Sequence, residues 1–140
     1  MQSSGEQEAH MPVYWFEGLS VGIPEIDGQH KKLLDMINDL EDALHKKQGY
    51  PELADIARRM QDYARFHFAT EEKHMEFARY PDKAAHLAEH EVFIERAMAL
   101  SFTPDDAENH PQQVLDFLRD WLITHIHGTD KLLGAFLQGV

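Results

Sequence analysis

Residues 51–75, PELADIARRMQDYARFHFATEEKHM, set Leu53, Ile56, Met60, Tyr63, His67, Glu71 and Met75 at intervals of three and four. That spacing matches the turn of an α-helix, so all seven fall on one face. Pro51 suits a first helical turn, where its missing N–H is not needed, and Tyr80-Pro81 ends the run. The face is apolar for most of its length and then carries an imidazole and a carboxylate in succession. An apolar stripe makes a core; this one changes chemistry near its end.

The same period recurs on both sides. Upstream, after Pro24, it collects Ile26, His30, Leu33, Leu34, Ile37, Leu40 and Leu44, with Lys46, Lys47 and then Gly49 as the expected helix end. Downstream, Asp82 reads as the N-cap of a third helix whose inner face is His86, His90, Phe93, Ile94, Ala97 and Leu100. A connection containing Pro104 and Asn109-His110-Pro111 leads to a fourth stripe of Val114, Leu118, Trp121, Leu122 and His125, and an apolar tail runs from Leu132 to Leu137. Helices are expected over residues 24–47, 51–79, 82–101 and 111–137. The short links favour an all-α fold, an antiparallel up-down-up-down four-helix bundle with an N-terminal arm and a short C-terminal helix. The arm is residues 13–23, apolar but without helical period and broken by Gly18 and Gly22, so it must lie on the bundle. Residues 1–12 are polar and read as a disordered lead, which leaves one domain over 13–140.

Composition narrows the chemistry. The 140 residues hold no cysteine, ten histidines, and 25 acidic against 13 basic residues, for a net charge of −12. Without thiols there is no disulfide framework, thiolate zinc site, iron–sulfur cluster or cysteine catalysis. The negative charge argues against nucleic acid and anionic membrane as partners. No apolar stretch is long enough for membrane insertion, and the N-terminus lacks the pattern of a secretory signal, so a cytoplasmic protein is expected.

His67 and Glu71 are four residues apart, as are His86 and His90, which puts each pair on one helical face. His125 and Asp130 are five apart, a poor fit to one straight face, and Gly128 between them is where the helix would bend or loosen. His30 stands near the start of the first helix, His67 and Glu71 near the end of the second, His86 and His90 near the start of the third, and His125 and Asp130 near the end of the fourth. In an up-down-up-down bundle those four places are one end. Five imidazoles and two carboxylates would then meet in an otherwise apolar layer, at a cost of several kcal/mol per unpartnered charge. Metal ions satisfy them. His10, His45, His110 and His127 fall outside that register and read as solvated, while His74 could only flank the site.

Seven ligands are too many for one tetrahedral zinc, and the donor set is too rich in nitrogen for calcium or magnesium. Two octahedral ions fit: five terminal histidines, two bridging carboxylates and a bridging oxo or hydroxo group leave one position open. Iron, as Fe2+/Fe3+, is the redox metal such N/O sites commonly hold.

From Trp15 to Leu137 the sequence resembles the hemerythrin family of non-haem di-iron oxygen carriers. The resemblance rests on Gly22-Ile23 with Ile26-Asp27-Gly28-Gln29-His30-Lys31-Lys32-Leu33, on His67-Phe68-Ala69-Thr70-Glu71-Glu72-Lys73-His74-Met75, on Tyr80-Pro81 with His86, His90 and Phe93, and on His125-Ile126 with Asp130. It implies that His86, His90 and His125 hold one iron and His30 and His67 the other, with Glu71 and Asp130 bridging. The iron with two histidines would carry the open position and bind dioxygen reversibly, for storage, transport or delivery. Leu33, Phe68, Trp121 and Leu122 are expected to line a water-poor oxygen pocket. A di-iron oxidase or peroxidase, a nitric oxide reducing enzyme, or an oxygen sensor acting through a separate partner is the alternative. Oxygen-activating di-iron bundles use mostly carboxylates, with Glu-x-x-His pairs, so the five imidazoles favour a carrier over an enzyme. The expected carrier is a monomer that hands dioxygen to an oxygen-consuming enzyme.

Overall fold

A computed structural model describes residues 13–100, 102 and 111–139 of the chain. The lead expected to be disordered, with His10, and most of the long connection, with His110, lie outside the described residues. Four long helices, α1 (Pro24–His45), α2 (Tyr50–Ala78), α3 (Lys83–Ala97) and α4 (Pro111–Thr124), form the up-down-up-down bundle, and no strand occurs among the described residues. A wide π-helical turn, His125–Asp130, joins α4 to the short α5 (Lys131–Leu137). α1 and α3 each pack against both α2 and α4, which closes the ring. Its interior is the apolar stripes read above: Leu33, Ile37 and Leu40 from α1, Met60 and Ala64 from α2, Phe93 and Ala97 from α3, and Leu115, Leu118 and Leu122 from α4. Fully burying one of the large side chains contributes about 1.5–3 kcal/mol.

The helix ends depart from the sequence pattern in four places. The chain leaves α1 at Lys47 (φ 58°), not at Gly49, whose backbone is extended just before α2. Arg79 (φ 56°) plays the same part after α2. Crossed hydrogen bonds hold both non-glycine residues in the left-handed region. Lys47 N–H donates to Leu44 O (3.1 Å) and Gln48 N–H to Ala43 O (3.2 Å), while Arg79 N–H donates to Glu76 O (3.3 Å) and Tyr80 N–H to Met75 O (2.9 Å). Asp82 precedes α3 as expected but makes no capping hydrogen bond with its side chain. α3 stops at Ala97 because the chain tightens there and the Gln61 amide donates to the carbonyls of Ala97 (2.8 Å) and Leu100 (3.4 Å).

The two ends of the bundle hold different polar clusters. Away from the histidines, buried Glu41 on α1 accepts from Arg119 Nη1 (3.0 Å) and Gln112 Nε2 (3.0 Å) on α4. Losing one partner of such a buried pair is costly, so it sets how α1 and α4 align.

The arm does lie on the bundle. Val13 exchanges two hydrogen bonds with the Asn38 side chain, Lys31 Nζ sits 4.3 Å over the Trp15 ring, and Leu19 and Val21 are buried, although Tyr14 and Phe16 point outward. Its end is clipped at both sides. Asp27 accepts from Ser20 Oγ and from Val21 N (2.8 Å), and Gln138 Nε2 donates to Val21 O (2.9 Å). Gly134 on α5 lies so close beneath this strand of chain that a Cβ there would collide with Val21 O. Gly128, in the wide turn, has nothing within 4 Å of its Cβ position. Gly134→Ala is therefore expected to lift the arm and destabilise the protein by about 1–3 kcal/mol. Gly128→Ala should be neutral or stabilising by up to about 1 kcal/mol; thermal unfolding of the two variants checks the contrast.

Candidate metal centre

His30, His67, Glu71, His86, His90, His125 and Asp130 are all buried, and the bundle topology brings them to one end as the sequence register requires. Asp130 arrives by the wide turn. In an α-helix five residues advance about 140° beyond a full turn, which would aim Asp130 away from His125. The i→i+5 pattern of a π-helix stacks the two on one side, and His125 Nε2 lies 3.0 Å from Asp130 Oδ1. Within the helical span expected over 111–137, the loosening expected at Gly128 takes the form of this local widening, and open space around Gly128 shows that no steric need for glycine causes it.

All five rings turn Nε2 inward to the carboxylates. The oxygens of Glu71 face opposite ways: Oε1 lies near His86 (3.1 Å), His90 (2.9 Å) and His125 (4.0 Å), and Oε2 near His30 (3.1 Å) and His67 (2.8 Å). Asp130 divides likewise, Oδ1 beside His86 and His125 (3.0 Å each) and Oδ2 beside His30 (3.0 Å). Two donor groups result, Glu71 with His86, His90, His125 and Asp130, and Glu71 with His30, His67 and Asp130, each with its atoms within 4.8 Å of one another. His67 Nε2, His125 Nε2 and both Asp130 oxygens are buried yet make no properly angled hydrogen bond, despite these short separations. Their lone pairs converge on shared points between them. That arrangement fits two cations sharing two carboxylates.

The outer nitrogens of His67 and His125 are held by residues to which helical spacing assigned no role. His67 Nδ1 donates to Gln29 Oε1 (2.8 Å), and Gln29 Nε2 donates to Thr70 Oγ1 (3.3 Å). His125 Nδ1 donates to Glu89 Oε1 (2.7 Å), which also accepts from Thr129 Oγ1 (2.7 Å). These partners come from facing helices, so helical spacing gives no sign of them. Of the residues expected to line the pocket, Leu33, Leu122 and Phe68 are buried, and Phe68 stacks on His90 (3.9 Å between centroids). Trp121 is half-buried and stacks on His125 (4.5 Å). Both aromatic rings thus lie against the three-histidine group. His74 does not join the cluster; it pairs with Glu25 on the outside (3.0 Å). His45 and His127 are exposed.

Residues 21–137 match the model of the hemerythrin HHE cation binding domain. The chain belongs to the hemerythrin family. A bacteriohemerythrin of Stenotrophomonas maltophilia (strain R551-3) is 36% identical over 117 residues, covering 84% of this chain and 76% of that protein. One of Methylococcus capsulatus (strain ATCC 33009 / NCIMB 11132 / Bath) is 37% identical over 123 residues, covering 86% and 91%. A solved hemerythrin structure, a single-residue variant, superposes with a TM-score of 0.75 at 30% identity over 91% of this chain and 98% of its own.

Without metal, protons must balance the hemerythrin cluster. Burial disfavours the imidazolium, but the carboxylates of Asp130 and Glu71 outweigh it, raising His30 and His86 to about 9 and His125 to about 10. His90 is lowered, by burial and by its neighbours His125 and His86, against the pull of Glu71. Burial works against ionised Glu71 and Asp130 too, yet the surrounding imidazoles hold both below the usual carboxylate range. Raised histidines stabilise the fold fully below their unfolded pKa, about 6.5, and lose that contribution as pH rises through 9 and 10. Lowered carboxylates contribute above about pH 4 and lose it in acid. The metal-free protein should therefore melt at lower temperature at pH 10 than at pH 6.5. Loading metal at pH 7 should release protons from His30, His86 and His125, about three per chain, measurable in weak buffer with an indicator; release of none would contradict the cluster's charge balance.

Proposed function

We propose that this hemerythrin chain binds dioxygen reversibly at a pair of iron ions, and that it is a carrier and not an enzyme. The opposed carboxylate oxygens of Glu71 and Asp130, each turned to a different set of imidazoles, are the observation that carries this reading. His86, His90 and His125 would hold one iron and His30 and His67 the other, with Glu71 and Asp130 bridging. With three histidines in one set and two in the other, the two-histidine side would be the one left able to take an added ligand. Bound there, iron would supply the reversible two-electron chemistry by which dioxygen is held and released.

The protein's part is to orient the donors and keep water out. Gln29 and Glu89 fix the tautomers of His67 and His125, so that each keeps its Nε2 lone pair toward the centre. Leu33, Leu122 and Ile126 are fully buried and Phe68, stacked on His90, nearly so; side chains of this kind cannot deliver a proton. Dry surroundings favour release of an unchanged ligand over its reduction. Scarcity of carboxylate donors supports the same distinction, because oxygen-activating bundles use more of them.

We read residues 13–140 as one di-iron unit, the arm included. No described helix is long and apolar enough to cross a membrane. A monomer in the cytoplasm that passes dioxygen to an oxygen-consuming enzyme completes the proposal.

The reduced, iron-loaded protein is expected to hold two irons per chain and to gain a visible absorption band in air that vanishes under vacuum. Irreversible oxidation on first contact with oxygen, or steady turnover with a reductant, would sink the carrier reading. His67→Ala should lose one iron and oxygen binding together while retaining the iron of the three-histidine group; two irons and unchanged oxygen binding in that variant would refute the ligand assignment.

A further inference from the structure

The five inward-facing rings differ in what holds their outer nitrogens. His125 meets a full negative charge, the Glu89 carboxylate, at 2.7 Å. His67 meets the neutral amide oxygen of Gln29 at 2.8 Å. The outer nitrogens of His30 and His86 have no hydrogen-bond partner among the described residues, and that of His90 is 3.7 Å from Glu72, too far for a hydrogen bond. The one ring tied to a carboxylate belongs to the three-histidine group.

The wide turn makes the arrangement possible. His125 and Thr129, four apart, both reach Glu89 Oε1, while His125 and Asp130, five apart, both face the cluster. An unbroken α-helix could not serve both spacings. Trp121 lies nearly parallel to the same ring (12°, 4.5 Å), which keeps it from rotating off Glu89. A surface hollow of about 300 Å³, lined by Glu89, Phe117, Asp120 and Trp121, brings solvent to the far side of the carboxylate.

A ligating imidazole that donates its other N–H to a carboxylate becomes a more basic, more negative donor. Such a donor favours the higher charge on the metal. We propose that Glu89 is a positioning residue that sets the redox poise of the three-histidine position, biasing it toward ferric, while neutral Gln29 leaves the two-histidine position easier to keep ferrous. This rests on the iron reading above. The two positions then differ in electron richness by more than their count of histidines.

The test uses the full chain loaded with iron and titrated through its reduction with redox mediators, for the wild type, Glu89→Gln and Gln29→Glu. Glu89→Gln keeps an acceptor but removes the charge. It should retain two irons and the melting temperature, and shift the ferric–ferrous equilibrium toward ferrous by about tenfold or more, which is about 59 mV for a one-electron couple. Gln29→Glu, which leaves Glu89 untouched, should shift it toward ferric. Cobalt(II), which reads affinity without oxygen chemistry, should bind Glu89→Ala about 10–100-fold more weakly than the wild type. An equilibrium within about twofold of the wild type in Glu89→Gln, or a shift toward ferrous in Gln29→Glu, overturns the role of Glu89 and leaves the iron reading standing. A wild-type chain that takes up no iron overturns both.

Discussion

Two carboxylates sunk among five imidazoles at one end of a helical bundle are the constraint on which the rest of the structure depends. Charges buried this deeply are tolerated only when compensated. Compensation here needs donors from α1, α2, α3 and the wide turn after α4 in one layer, which fixes the relative heights of α1, α2 and α3 and the exit from α4. At the far end, the buried Glu41–Arg119 pair performs a humbler version of the same task for α1 and α4 alone. Between the two lies ordinary apolar packing, which would tolerate a helix sliding by a turn far better than either polar layer does.

Much of this was legible in the sequence because α-helical geometry is local. His67 with Glu71 and His86 with His90 announce a shared face by their spacing alone, and alternating direction along the chain puts the pairs at a common end. Asp130 was legible as a participant, and Gly128 as the place where the helix would bend or loosen, but not the form of that change, since a one-residue widening has no compositional signature and does not need the glycine. Helix ends misled for a related reason. Lys47 and Arg79 occupy the left-handed position where glycine is the usual signal, because backbone hydrogen bonds and the packing of Tyr80 against Met75 compensate the strain.

What stayed hidden is the outer ring of contacts. Gln29 reaches His67 from α1 and Glu89 reaches His125 from α3, each across a helix–helix interface that no period along a single helix encodes. Nor could residue type tell which ring an aromatic side chain would cover. Phe68 and Trp121 read as a general apolar lining, whereas in the structure both lie flat on rings of the three-histidine group. In the other half, the His30 and His67 rings meet edge to face at 4.6 Å between centroids, and Phe68 touches His67 only at a tilt (5.6 Å).

The extra residue in the turn at His125–Asp130 has a consequence for how the chain can vary. Past that point the helix runs one position out of phase, rotated by about 100° from where a plain α-helix would carry it. Leu133 and Gly134 face inward only because of that offset, and Gly134 is the seat of the arm at Val21. Loss of a single residue from the segment would therefore undo two things at once, turning Asp130 out of the centre and closing the seat at the C-terminus. Length in this segment is as tightly specified as residue identity, and a lineage could shorten it only by rebuilding both.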